Sequence, residues 1–263
     1  MTETQGTGIV LAAAAHPDDI EFMMSGTLMH LAEAGWELHY HNIGSGSCGT
    51  ATLSRDEIVR IRTEESRAAA ESIGATFHPP LVDDIEILYE DGLLRRVAAL
   101  VRRVQPTILL LQSPQDYMED HMNSSRLMVT AAFCRAMVNY RTDPETETTS
   151  QDMAVYHALP YGLRDQLRQP VEAEFYVDVS SVMERKKEML ACHKSQKEWL
   201  DHSQGMDSYL ITMEDMCRDV GRGFSLFGYG EGWRRHSHLG FGPEDFDPLG
   251  GSLGRLVHVN LGY

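Results

Sequence analysis

The sequence predicts an α/β protein of the Rossmann-like, doubly wound kind, built on a mostly parallel sheet. Three observations carry the prediction. Short apolar runs alternate with amphipathic stretches of helical spacing over the first 140 residues. Those runs are bounded by turn chemistry, as expected of strands buried on both faces. Polar clusters follow directly after two of them, where a doubly wound sheet opens its ligand crevice.

Taken in order, Ile9–Ala15 is wholly apolar and reads as the first buried strand, and Phe22–Ala34 has helical spacing. Glu37–Ile43 is the second strand and Arg55–Ile73 a long helix stopped by Gly74. Gly92–Val104 is a third helix that ends before Pro106, Thr107–Gln112 a buried strand, and Ser124–Tyr140 the next helix. Arg141–Asp152 has almost no apolar residue and reads as a solvated loop. Beyond it, Val155–Leu159 and Glu174–Val179 suit strands and Ser180–Trp199 a charged amphipathic helix. Ten of the 22 glycines fall between Gly221 and Gly254, which suggests an irregular C-terminal cap. The expectation is one domain over residues 1–263, with a core at about 8–140 and additional elements over 153–263.

Composition narrows the function. The chain has 263 residues, 42% hydrophobic and 24% charged, which is the ordinary globular range and not a disordered one. With 23 Lys+Arg against 39 Asp+Glu, a formal charge of −16 argues against nucleic acid, whose binding draws on clustered basic residues. The longest apolar run, Ile9–Ala15, is less than half of the ~20 residues a membrane span needs, so no membrane partner is expected. Residues Met1–Gly8 carry no basic and apolar leader pattern. Cys48, Cys134, Cys192 and Cys217 form no C-x-x-C pair, and the expected setting is a reducing, cytoplasmic one.

The chemistry concentrates at two strand ends. His16-Pro17-Asp18-Asp19, with Glu21 close behind, follows the first strand. An imidazole and carboxylates so close together can converge on a cation, while Asp18 or Asp19 would equally suit a helix N-cap. Ser113 to His121 (SPQDYMEDH) follows the strand Thr107–Gln112, and there Asp116 and Asp120 would equally cap the next helix. Together the two clusters can furnish two imidazoles and a carboxylate, which leaves positions open for water and substrate as a catalytic zinc requires.

His16-Pro17-Asp18-Asp19-Ile20-Glu21 and, about a hundred residues on, Asp116-x-x-x-Asp120-His121 resemble the signatures of the PIG-L/LmbE-type zinc-dependent N-deacetylase family. Arg62-x-x-Glu65-x-x-x-Ala69-x-x-x-Ile73-Gly74, His193-x-Ser195-Gln196 and Tyr229-x-Glu231-x-Trp233 are similar to three further family elements. The resemblance spans roughly residues 9–240. It implies His16, Asp19 and His121 as metal ligands, for Zn²⁺ or alternatively Fe²⁺, and Asp18 as the general base toward water. It implies Arg62 as a substrate-binding residue and Asp84 as a contact for a sugar hydroxyl. The partner would be a small N-acylated molecule, a glucosamine-like conjugate carrying N-acetyl, and a homo-oligomer is compatible with it.

One position departs from the pattern. The family has a histidine three residues before its last ligand, and this chain has Met118, whose thioether cannot donate to an oxyanion. Asp120 thereby loses the histidine it orients in the family, and joins Arg62 and Asp84 among the substrate-binding candidates. His236 and His238, in the basic run Arg234–His238, are the candidate replacements for the missing donor. Gly44-x-Gly46-x-x-Gly49 has the form of a dinucleotide fingerprint and supports a rival reading as a nucleotide-binding oxidoreductase, although the polar stretch TATLSRDE follows it where a helix should open. A catalytically silent metal-site protein is the third reading. The 14 methionines, including Met23, Met24 and Met29, read as core filling.

Overall fold

The computed structural model describes residues 8–197, 209–223 and 227–263. Strands β1 (Ile9–Ala14), β2 (Glu37–Asn42), β3 (Thr76–His78), β4 (Ile108–Leu111) and β5 (Ala154–Ala158) pair in parallel in the order β3-β2-β1-β4-β5. The chain winds outward from β1 to β3 and then returns to β4 on the other side of β1, with Ala12 beside Leu110. The direction of winding therefore reverses between β1 and β4. Loops leaving the carboxyl ends of these two neighbours part company and open a crevice.

Side-chain alternation along the strands makes two apolar layers. Val10, Ala12 and Ala14 face one layer, packed by α1 (Asp19–Met23), α2 (Ser25–Glu33), α3 (Arg55–Ser72), α6 (Met183–Leu190), α7 (Tyr209–Arg222) and α8 (Pro248–Leu253). Leu11, Ala13 and Ala15 face the other, packed by α4 (Asp91–Val104) and α5 (Glu119–Phe133). Both faces of β1 are covered, which is why its sequence is apolar without alternation. Among the described residues no helix is long and apolar enough to cross a membrane.

Several boundaries differ from the sequence reading. The single helix expected over Phe22–Ala34 is two helices, broken at Met24, whose φ of −135° is not helical. Helix α5 begins at Glu119 instead of Ser124, because Glu119 and Asp120 in its first turn suit the positive end of the helix dipole. Over the expected helix Ser180–Trp199, α6 ends at Leu190, residues 194–197 are helical again, and Trp199 lies outside the described residues.

The glycine-rich tail is not simply an irregular cap. It supplies β7 (Gly230–Arg235), inserted between β5 and β6 (Phe175–Asp178), and β8 (Val257–Val259) follows at the edge, all antiparallel. Glycine serves close packing there: a Cβ at Gly232 would lie 2.5 Å from Leu159 Cδ1 and 3.0 Å from Ala173 Cβ. Among the described residues the sheet thus has eight strands.

Candidate metal centre and active site

The crevice is assembled from the strand ends outward. The Ala15 N–H donates to Gln112 Oε1 at 2.7 Å, which ties the residue after β1 to the residue after β4. The chain then turns through Pro17 and Asp18. Asp18 has φ 108°, a conformation that L-residues rarely adopt and that is found where surrounding structure holds it in place. The turn closes when the His16 N–H donates to Asp19 Oδ2 at 2.7 Å. Asp18 and Asp19 are thereby given different surroundings.

His121 comes from the first turn of α5 and its ring lies 5.5 Å from that of His16, centroid to centroid. Each imidazole is held from behind by a buried carboxylate. His121 Nδ1 lies 2.9 Å from Asp116 Oδ1, and His16 Nε2 lies 2.9 Å from Asp120 Oδ2. A carboxylate can only accept, so each of these nitrogens carries the proton and donates it. His121 Nε2 and His16 Nδ1 are on the side of Asp19, at 3.4 and 3.7 Å from its oxygens. One ligand atom from each of His16, Asp19 and His121 lies within 4.8 Å of the others. Two imidazoles and one carboxylate, each imidazole oriented by a second carboxylate, fit a divalent metal with open coordination positions.

The electrostatics point the same way. Burial disfavours a charged His121, yet Asp19, Asp116 and Asp18 outweigh burial and lift its pKa to about 9. His16 is raised for the same reason, with burial opposed by Asp120, Asp19 and Asp84. The negative field around the two rings favours positive charge, which a bound divalent cation would supply. Asp120 stays below the usual carboxylate range, because the hydrogen bonds from His16 and from the Ile85 N–H outweigh its burial.

Asp18 stands beside this set. Its Oδ2 accepts from the Tyr209 hydroxyl at 2.8 Å and lies 3.8 Å from Arg62 Nη2. Burial pushes its pKa up to about 6, against the pull of Arg62. Arg62 itself is buried and donates from Nη2 to the Pro17 carbonyl at 2.6 Å, bracing the turn, while its side chain also lines the cleft.

Other sequence candidates have different places. Asp120 holds His16: its Oδ2 accepts from His16 Nε2 and from the Ile85 N–H, and only 3% of the residue is exposed. Asp84 borders the cleft, but its two oxygens accept the amides of Gly46 (2.7 Å) and Cys48 (2.9 Å), so its work is to hold the 44–49 loop. That loop is no dinucleotide cradle. Its amides are taken by Asp84, a Cβ on Gly46 or Gly49 would strike the Arg62 side chain, and α3 begins only at Arg55. His236 and His238 are not brought to the metal candidates. The His236 N–H donates to the Val155 carbonyl near the amino end of β5, and both histidines line a separate cavity of about 260 Å³. His236 Nδ1 is engaged with His157 Nε2 at 3.0 Å. Neither is placed to replace the donor missing at Met118.

The remaining motif residues form the scaffold under the site. Glu21 accepts from the Tyr40 hydroxyl at 3.0 Å and lies 3.1 Å from His193 Nε2. Glu65 accepts from the Ser195 N–H and hydroxyl at 2.9 and 2.6 Å. Glu231 accepts from the Gly26 and Thr27 amides, both at 2.8 Å, and from buried Lys186. Sequence reasoning missed Asp116 as an imidazole brace and Tyr209 as the partner of Asp18. Asp116 was visible in the second cluster, whereas nothing near Tyr209 in sequence announces its role. The cleft above has a volume of about 580 Å³, and Phe22, Ile85, Tyr117, Met118, Tyr161 and Arg164 contribute to its walls.

A model of the PIG-L family, described as GlcNAc-PI de-N-acetylase, matches residues 11–132. Over that span the chain is similar to the PIG-L family. The matched span runs from β1 through most of α5, and so contains His16, Asp18, Asp19 and His121. Diacetylchitobiose deacetylase of Thermococcus kodakarensis is 28% identical over 200 residues, 71% of this chain and 69% of that protein. 4-Oxalmesaconate hydratase of Pseudomonas putida is 26% identical over 199 residues, 71% of this chain and 73% of that one. The structure of N,N'-diacetylchitobiose deacetylase from Pyrococcus horikoshii shares the fold with a TM-score of 0.72 at 21% identity, covering 93% of this chain and 89% of that one. The chain is thus similar to proteins named for two different reactions, and the reaction must be argued from the site.

Proposed function

We propose that this protein is a metal-dependent hydrolase that removes an N-acyl group, N-acetyl in the first instance, from a glucosamine-like sugar conjugate. The observation that carries the reading is the division of labour at the turn: His16, Asp19 and His121 converge while Asp18, buried beside them, is held by Tyr209 and Arg62 instead. Zn²⁺ suits two imidazoles and a carboxylate, with Fe²⁺ as the alternative, and because Met118 offers no donor, such an ion supplies the polarisation of the acyl carbonyl and the acidification of water. Asp18 takes a proton from the attacking water and returns it to the leaving nitrogen. A carboxyl group lifted to about 6 can exchange a proton in both directions near neutrality. The Tyr209 hydroxyl fixes the direction in which Asp18 faces. The diacetylchitobiose deacetylases, with the PIG-L match, support amide cleavage on an acetamido sugar. The four free cysteines suit a reducing, cytoplasmic setting.

The test is metal analysis of the purified protein together with acetate release from N-acetylglucosamine conjugates and, in parallel, turnover of 4-oxalmesaconate. About one equivalent of divalent metal and acetate release are expected. Turnover of 4-oxalmesaconate without amide cleavage would replace this reading by a hydratase. Bound metal with no turnover of either kind would leave a silent metal-binding protein.

A further inference from the structure

Aromatic rings join the two halves of the site. The ring of His121, a metal candidate, meets that of Tyr117 edge-on with centroids 5.6 Å apart. Tyr117 and Tyr161 follow at 6.0 Å, Tyr161 and Phe22 at 5.5 Å, and Phe22 and Tyr209 at 5.3 Å. Tyr209 then donates to Asp18 at 2.8 Å. An unbroken line of rings therefore runs from the metal candidates to the general base, and Phe22, Tyr117, Tyr161 and Tyr209 all line the cleft. They are unequally open. Phe22 and Tyr209, 7% and 2% exposed, form the backing, whereas Tyr161 is half-buried and Tyr117 is 54% exposed. Tyr161 follows Pro160 just beyond the carboxyl end of β5, and Gly162, with φ 72°, turns the chain immediately after it. A Cβ at Gly162 would meet nothing within 4 Å, so the glycine is there for that turn alone.

The proton transfer decides which part of the substrate meets these rings. Asp18 returns its proton to the leaving nitrogen, so the group that departs with that nitrogen lies on the Asp18 side of the amide. Tyr209, Phe22 and Tyr161 are on that side. Burial raises the pKa of the Tyr161 phenol, and the charge of Asp18 raises it further. In an N-acetyl sugar the departing group is the pyranose, joined to the nitrogen through its C2. The acetyl group has one methyl beyond its carbonyl carbon, too little to cover a phenol ring. The pyranose has a broad face of C–H groups with hydroxyls around its edge, which suits an aromatic wall whose neighbours Arg62 and Arg164 are polar. We infer that Tyr161, flanked by Tyr117, is the stacking platform for the pyranose of the amino sugar, and that it selects a closed sugar ring over an open-chain acetamido polyol.

This inference rests on the hydrolase reading above, and the experiment separates the two. Acetate release from the methyl glycoside of N-acetylglucosamine, whose ring is locked, is compared with release from N-acetylglucosaminitol, its open-chain counterpart, using the metal-loaded protein. The closed ring should have the higher kcat/KM. Tyr161→Ala should lower kcat/KM for the ring roughly three- to tenfold, the scale of one aromatic stacking contact, chiefly by raising KM. The open-chain compound and the metal content should be nearly unaffected. Tyr161→Phe keeps the ring face and should keep the preference. Equal losses for both compounds, a fall in kcat at constant KM, or a Phe variant as poor as the Ala variant would each overturn the platform and leave the hydrolase standing. A benefit from Tyr161 confined to glycosides with an aromatic aglycone would also overturn it, since the wall would then serve the aglycone. Acetate release from neither compound would overturn the hydrolase reading, and the platform with it.

Discussion

Asp18 and Asp19 are adjacent in the chain, yet the positive φ at Asp18 turns one toward Tyr209 and Arg62 and the other toward the two imidazoles. Their substitutions should therefore separate. Asp18→Asn is expected to keep its metal and lose ~10²–10⁴ in turnover, the scale of a lost general base. Asp19→Asn should lose metal, read by elemental analysis, and equal loss in both variants would refute the division. The carboxylates behind the rings make a second prediction: Asp116→Asn or Asp120→Asn should weaken metal affinity ~10–100-fold, because an amide holds the imidazole tautomer less firmly. Titration with a competing chelator measures it, and unchanged affinity would show that the rings need no brace. At this scale the sequence was informative wherever function lies within one short segment, as in His16 to Asp19. It was silent on the partners of Asp120 and Asp84, which lie 104 and 36–38 residues away and cannot be inferred from neighbours.

Secondary-structure elements with a periodic apolar pattern were readable and those chosen for closeness were not. β1 and β4 announce themselves by unbroken apolar runs, but β7 is Gly-Glu-Gly-Trp-Arg-Arg, with glycines where neighbours crowd it and a buried Glu231. The motif resemblance marks this acid, but no apolar periodicity around it says what it holds. The structure does: Glu231 caps the amides of Gly26 and Thr27 at the start of α2 and offsets the charge of fully buried Lys186. Glu231→Gln leaves that ammonium without its counter-charge, and breaking a buried pair in this way costs about 3–5 kcal/mol. Urea unfolding should show the loss, and adding Lys186→Met should recover part of it because the stranded charge is removed. A loss below about 1 kcal/mol for Glu231→Gln would mean that Lys186 is balanced by another group. The helix α7 was also missed, although Tyr209, Met213, Cys217 and Val220 recur at helical spacing on its buried side.

The architecture of the whole molecule explains both the site and a liability. The alternation of strands and helices implied a doubly wound sheet but left out β3 and the strand order; the order β3-β2-β1-β4-β5 places the ends of β1 and β4 side by side, so that His16 and His121 meet across about a hundred residues of chain. The same sheet, covered on both faces, also encloses histidines that do not serve the metal candidates. His41 in β2 is fully buried and His157 in β5 is 4% exposed. Burial lowers their pKa values to about 3 and about 4, with the nearby His78, Arg103 and Arg96 adding to the effect at His41, and His236 and Arg234 at His157. Between pH 6.5 and about 4 the unfolded chain takes up protons that the folded chain refuses. The unfolded state then binds more protons, so stability falls as pH falls through that window, by up to ~1.4 kcal/mol per pH unit for each such histidine. His157→Gln removes one of them. Its urea midpoint should decline less steeply with acidification than that of the unsubstituted protein, both measured with metal present so that acid loss of the ion affects them alike. Equal slopes would show that His157 accepts its proton within the folded state, by rearranging its contact with His236.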